Sequence, residues 1–169
     1  DSLPAPSDVA RAGLDRALAR LGSEKGPTVK TAMLVDAQAA GSLIGRLLRP
    51  ASARSIQQGQ SFWADLVDTR AFSEKLTIVD DPLIARGFGS RHFDSEGISA
   101  KYLPIVENGV VRNLYVDTYY GRKAGMKPTT GSASNRVIGL GDHSLAELLS
   151  EVGNGVYVTS WLGGNADST

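Results

Sequence analysis

The chain has 169 residues, enough for a domain with a buried core, and its 41% hydrophobic and 21% charged content is that of an ordinary globular protein. Eighteen basic residues balance eighteen acidic ones, so no net field draws it to nucleic acid or to an anionic membrane. It has no cysteine, which excludes disulfides and thiolate zinc sites within it and fits a cytoplasmic protein, and no apolar run approaches the ~20 residues of a membrane span.

The opening "DSLPAPSD" has neither an initiator Met nor a signal-like apolar region, and "GGNADST" is an abrupt end. Both ends suggest a portion of a longer protein. "PSDVARAGLDRALARLG" reads as an amphipathic helix, with Ser7 as N-cap, a stripe of Ala10, Leu14, Ala17, Leu18 and Leu21, and Gly22 as the stop. A turn at "EKGPT" leads to a short buried strand, "KTAMLV" (Lys30 to Val35). "DAQAAGSLIGRLLRP" restarts a helix between Asp36 as N-cap and Pro50 as terminator. Residues 51–70 lack a clear period and leave helix and loop both open. "KLTIVDD" is strand-like, and "PLIARGFGSRHFDSEG" is a long loop punctuated by Pro82, Gly87, Gly89 and Gly97.

The sharpest local signal is "KYLPIVENGVVRNLYVD". Two β-rich runs flank Asn108-Gly109, the preferred pair for a type I′ hairpin because both turn positions need positive φ. "TYYGRKAGM" suggests a short helix and "KPTTGSASN" a loop. "SLAELLSEVGNG" suggests a helix with a capping box of Ser144 and Glu147 and a stripe of Leu145, Leu148, Leu149 and Val152. "GVYVTSWLGG" is a final strand entering a glycine pair. No internal repeat or low-complexity tract is present. The order of elements predicts an α+β fold, with a largely antiparallel sheet around a central hairpin and flanking helices.

Several stretches have residue types that can carry chemistry. In "RHFDSEG", His92, Asp94 and Glu96 alternate, close to Asp80 and Asp81 of "VDD". They read either as a metal or acid–base site or as a charged turn whose carboxylates cap N–H groups or pair with Arg86 and Arg91. A zinc site needs three or four ligands, whereas the chain has only two histidines, and the spacing is not that of an EF-hand, so the turn is favoured. His143 in "GDHSL" reads as an exposed turn residue at a helix start. "GFGSRH" lacks the ending and context of a phosphate loop. "SWLGGN" allows close approach of a ligand to the backbone, or simply turns a strand, and the second is favoured.

Taken together, "QQGQSFW", "LTIVDDP", "GFGSRHFDSEGISAKYLPIVENGVVRNLYVDTYYGRKAGM" and "GVYVTSWLGGN" resemble the TldD/PmbA family of metallopeptidase-related proteins, also called modulators of DNA gyrase. Their order and spacing over residues 57–165 carry the resemblance, and residues 1–56 match more loosely, as a helix–strand–helix lead-in. The resemblance implies that residues 1–169 are a single domain, or an internal portion of the family's second, C-terminal domain. One kind of family member, TldD, bears a His-Glu-x-x-x-His zinc motif on a helix. The other, PmbA or TldE, lacks it and pairs with the first. Aligned on the family pattern, the motif's positions fall on Gly45, Arg46 and Pro50, and no histidine occurs from Asp1 to Arg91.

The resemblance therefore implies a chain on the PmbA/TldE side, with no catalytic residue and no metal ligand of its own. The family's remaining ligand, a cysteine, would lie beyond Thr169. Zinc is expected only in a TldD-like partner subunit, with a homodimer as the other possible assembly, and the substrate is expected to be an extended peptide. In this reading Asp80, Asp81, Asp94 and Glu96 form a structural charged loop, because their block occurs on both kinds of partner. The chain is then a non-catalytic or degenerate subunit of a zinc protease complex acting in proteolysis or peptide maturation. Two alternatives stand beside it. One is an active metallopeptidase that uses residues outside this chain; the other is a binding protein that modulates gyrase or another protein. Balanced charge does not favour direct nucleic-acid binding.

Overall fold

The structure, a computed structural model, describes residues 3–163. It divides into two compact units, residues 1–31 and 32–169. The first contains one helix, α1 (Pro6–Leu18). Proline at the first helical position already has helical φ and lacks an N–H that would go unbonded, so the helix begins at Pro6. Ser7 therefore lies inside the first turn and not at the cap, which is Ala5 and makes no side-chain hydrogen bond. The expected apolar stripe is present in sequence, but Leu14, Leu18 and Leu21 are 57%, 53% and 75% exposed.

The second unit is built on two sheets. β1 (Ala32–Val35) and β6 (Gly155–Val158) pair in parallel, Ala32 opposite Gly155 and Val35 opposite Val158. Between them in sequence lie α2 (Ala37–Leu48) and α5 (Leu145–Val152). Asp36 binds this corner together. Its carboxylate accepts the Gln38 N–H at 2.9 Å as the N-cap of α2 and the Tyr157 hydroxyl at 2.7 Å from β6. Ser144 and Glu147 close a reciprocal capping box at the start of α5. The stripe on α5 packs less than its pattern predicts, and none of its residues is buried.

The larger sheet has the order β4-β3-β2-β5, antiparallel throughout, from β2 (Ile78–Asp80), β3 (Leu103–Glu107), β4 (Val110–Val111) and β5 (Arg136–Ile138). The central strand β2 is buried along its length, as a strand with neighbours on both edges and a core face must be. Asn108 and Gly109 join β3 to β4 with φ of 48° and 79°. The second arm of the hairpin is only two residues long, and the edge beyond it is occupied by the 68–72 segment, which bonds to Val111 and Gly109.

The core lies on this sheet, from Leu48, Trp63, Ile78, Ile105, Val106, Val111, Leu114 and Val116. Trp63 has no exposed surface; its indole N–H donates to the Leu47 carbonyl at 2.9 Å and its ring packs 5.3 Å from that of Phe72. Residues 51–70, ambiguous in sequence, are a short helix α3 (Ala53–Gln57) followed by turns wrapped around that tryptophan. Asp117 caps another short helix, α4 (Thr118–Ala124), which Gly125 ends at φ 68°. Among the described residues no helix is long and apolar enough to cross a membrane.

Candidate functional site

Gly45 and Arg46 lie in the last turn of α2, and Pro50 follows it with its side chain fully buried. A side chain at Gly45 would enter open space, with no heavy atom within 4 Å of its Cβ. At Gly45 space is therefore not what is missing; a side-chain lone pair is. Glycine has no side chain, an arginine guanidinium has five N–H donors and no lone pair, and proline has neither. A zinc ion does not fit these three residues. His92 and His143 are both exposed, and among the described residues no three His, Asp or Glu side chains meet as metal ligands would.

The charged loop is held by hydrogen bonds. Asp80, at the end of β2 and 2% exposed, accepts the Tyr115 hydroxyl at 2.8 Å, the Ser134 N–H at 2.9 Å, and the Ser134 hydroxyl. Burial, followed by the Asp80 charge and hydrogen bond, pushes the Tyr115 phenol well above its ordinary pKa; Arg136 and Arg91 oppose this only in part. Asp81 accepts the Leu83 N–H at 2.9 Å. Asp94, 5% exposed, accepts the N–H groups of Glu96 and Ile98 at 2.9 and 3.0 Å, and Gly97 turns the chain at φ 77°. Glu96 reaches α4, where it accepts the N–H and hydroxyl of Thr118 at 2.9 and 2.5 Å.

Burial alone would raise the Asp94 pKa, but the Ile98 and Glu96 N–H groups outweigh it and hold the carboxyl below its ordinary range. The Gly131 N–H and Thr130 hydroxyl add to this as oriented dipoles, because Asp94 Oδ2 has no closed hydrogen bond among the described residues. All four carboxylates thus accept a backbone N–H, the pattern of acidic residues that fix loops.

Three further residues keep this loop in place, two without a sequence signal and one in a role other than the expected one. Ser134 is one. Asn135 is the second: its amide donates to the Asp81 carbonyl and the Ser90 hydroxyl, both at 2.9 Å, and accepts the Gly89 N–H at 2.8 Å. The glycines of "GFGS" allow this contact, since a Cβ at Gly87 would lie 2.6 Å from Ser90 Oγ and one at Gly89 would lie 2.5 Å from the Ser134 carbonyl oxygen. The third is Arg91. Expected to pair with a carboxylate, it bonds instead to the Ser132 and Thr130 hydroxyls, at 3.1 and 3.2 Å, and to the Ser132 carbonyl. The "SWLGGN" stretch extends past Gly163, so its end lies outside the described residues.

Residues 28–169 match the profile of the PmbA/TldA metallopeptidase C-terminal domain. The metalloprotease PmbA of Escherichia coli O157:H7 is 30% identical over 151 residues, covering 88% of this chain and 33% of that protein. A crystal structure from Bacteroides thetaiotaomicron, described as a modulator of DNA gyrase, superposes with a TM-score of 0.89 at 32% identity, over 94% of this chain and 36% of that one. TldE of Thermococcus kodakarensis shares the fold alone, with a TM-score of 0.71 at 21% identity, over 91% of this chain and 39% of that one. The chain spans about a third of the length of these relatives. With the α+β architecture, the antiparallel sheet and the charged loop in place, this chain belongs to the PmbA/TldD family of metallopeptidase-related proteins.

Proposed function

We propose that the protein containing this chain is a non-catalytic subunit of a TldD/TldE-type zinc protease, working with a TldD-like, zinc-bearing partner on extended peptides. The observation that carries the reading is the set Gly45, Arg46 and Pro50, at and beyond the end of α2, which offers a metal no side-chain lone pair. The chain supplies fold and wall; the partner supplies the metal and the activated water. The extended form of the substrate is supported by β5, an edge strand with all three residues exposed, which among the described residues pairs only with β2. A peptide added to such an edge is held by its main chain, with little demand on its sequence.

The test is reconstitution. The full-length protein alone should bind no stoichiometric zinc in a calorimetric titration and should not hydrolyse a short unstructured peptide. Mixed with its TldD-like partner, it should support hydrolysis that chelators abolish. Tight one-to-one zinc binding by this protein alone would overturn the reading.

A further inference from the structure

We propose that a cavity of about 370 Å³ beside the charged loop binds the carboxylate end of an extended peptide. The peptide class rests on the function proposed above; the anion preference rests on the cavity itself. Arg91, Lys101 and Lys127 line it, and the one carboxylate in its wall is Asp80. Asp80 is already occupied by Tyr115 and by the N–H and hydroxyl of Ser134. Among the described residues none of the three cations forms an ion pair. Every acceptor that holds the Arg91 guanidinium is neutral. A fixed, half-buried guanidinium with uncharged anchors leaves its positive charge unneutralised beside the cavity, where it attracts an anion.

The other wall favours a carboxylate on an organic body over a bare oxyanion. Ile98, Tyr102, Leu103 and Pro128 give the cavity an apolar side that a free phosphate would leave unused. The volume lies at the small end of ligand pockets, which fits a terminal residue or two and not a folded partner. An apolar C-terminal residue presents both features, a side chain and a carboxylate carried on one Cα.

The experiment is fluorescence anisotropy with a labelled five-residue apolar peptide, made with a free C-terminal carboxylate and again as its C-terminal amide. The whole chain should bind the acid about tenfold more tightly than the amide, a factor equivalent to about 1.4 kcal/mol. Lys101→Met and Lys127→Met change exposed side chains and should keep the fold. Each should weaken the acid several-fold and leave the amide unchanged, and added salt should narrow the acid–amide gap. Arg91→Met should erase the preference, but Arg91 also anchors residues 130–132, so the lysine variants decide.

Equal affinity for acid and amide would overturn the proposal, as would lysine variants that weaken both peptides alike. So would inorganic phosphate displacing the acid peptide at lower concentration than an N-acetylated amino acid does. The assay needs neither partner nor hydrolysis. Retained discrimination with failed reconstitution would therefore refute the proposed function and leave the pocket standing, and the reverse pair of results would refute the pocket alone.

Discussion

Asp80→Asn tests the loop at its most buried point. The substitution keeps size and shape but exchanges one oxygen for an NH₂ group. The two carboxylate oxygens receive the Tyr115 hydroxyl, the Ser134 N–H and the Ser134 hydroxyl, all donors, so a donor must now face a donor wherever the amide turns. A hydrogen bond to a charged group contributes about 1.5–3 kcal/mol, and relief from burying a charge offsets part of its loss. The expected net cost is about 2 kcal/mol, equivalent to about 4–8 °C in Tm for a chain of this size. Tyr115→Phe removes one donor to a charged group and should cost about 1.5 kcal/mol. The double variant should cost less than the sum, by about 1 kcal/mol, because the two groups share a bond. Urea unfolding of all four proteins measures this. Asp80→Asn within about 0.5 kcal/mol of the parent, the range of ordinary surface substitutions, would refute the reasoning.

Other outcomes follow from the same geometry. Gly109→Val should destabilise strongly, visible as a lower urea midpoint, since φ is 79° and a Cβ would lie 2.7 Å from the Ser73 carbonyl oxygen and closer still to that of Phe72. Asp94 has its folded pKa lowered, so it adds stability above its unfolded value of ~3.9, and that stability is lost as pH falls through the lower folded value. Acid unfolding of Asp94→Asn should accordingly show a shallower pH dependence below about pH 4 than the parent. Tyr115 has its pKa raised, so its stabilisation holds below about pH 10 and declines above it, and Tyr115→Phe should unfold less steeply in alkali. His92→Ala, at an exposed position, should leave the Tm unchanged.

Local chemistry made much of this fold legible. Asn108-Gly109 sets its turn because both residues tolerate positive φ, whatever surrounds them. As helix caps, Asp36 and the Ser144–Glu147 box act within three residues of themselves, so spacing along the chain revealed them, while the bond from Tyr157 to Asp36 left no such trace. What stayed hidden is what forms at a distance. The pairing of β1 with β6 joins residues more than a hundred positions apart, and nothing in "AMLV" or "GVYV" encodes a parallel partner. β5 is three residues long with every side chain exposed, so it has no alternation to read. Serine's preference for caps points to Ser7, yet Pro6 outranks it by fixing φ one position earlier.

The same distinction explains why the residue types in the charged loop were legible while their tasks were not. Aspartate and glutamate among glycines are equally the material of a metal site and of a capped turn; only their acceptor geometry separates the two. Asp94 and Asp81 accept bonds from N–H groups two to four residues away and hold their own turns. Asp80 and Glu96 act across the fold, on Ser134 and Thr118, and tie β2 and the loop to the segments beyond the hairpin. With the carboxylates committed in this way, the neighbouring positive charge is left without a partner of its own. Arg91 is held in place by hydroxyls and a carbonyl that cannot neutralise it. Structural demand on the acids and open charge on the cation are thus consequences of a single hydrogen-bond arrangement. Weakening Asp80 should loosen the Ser134 segment and blunt the acid–amide preference in proportion to stability, whereas Lys127→Met should blunt the preference with stability unchanged.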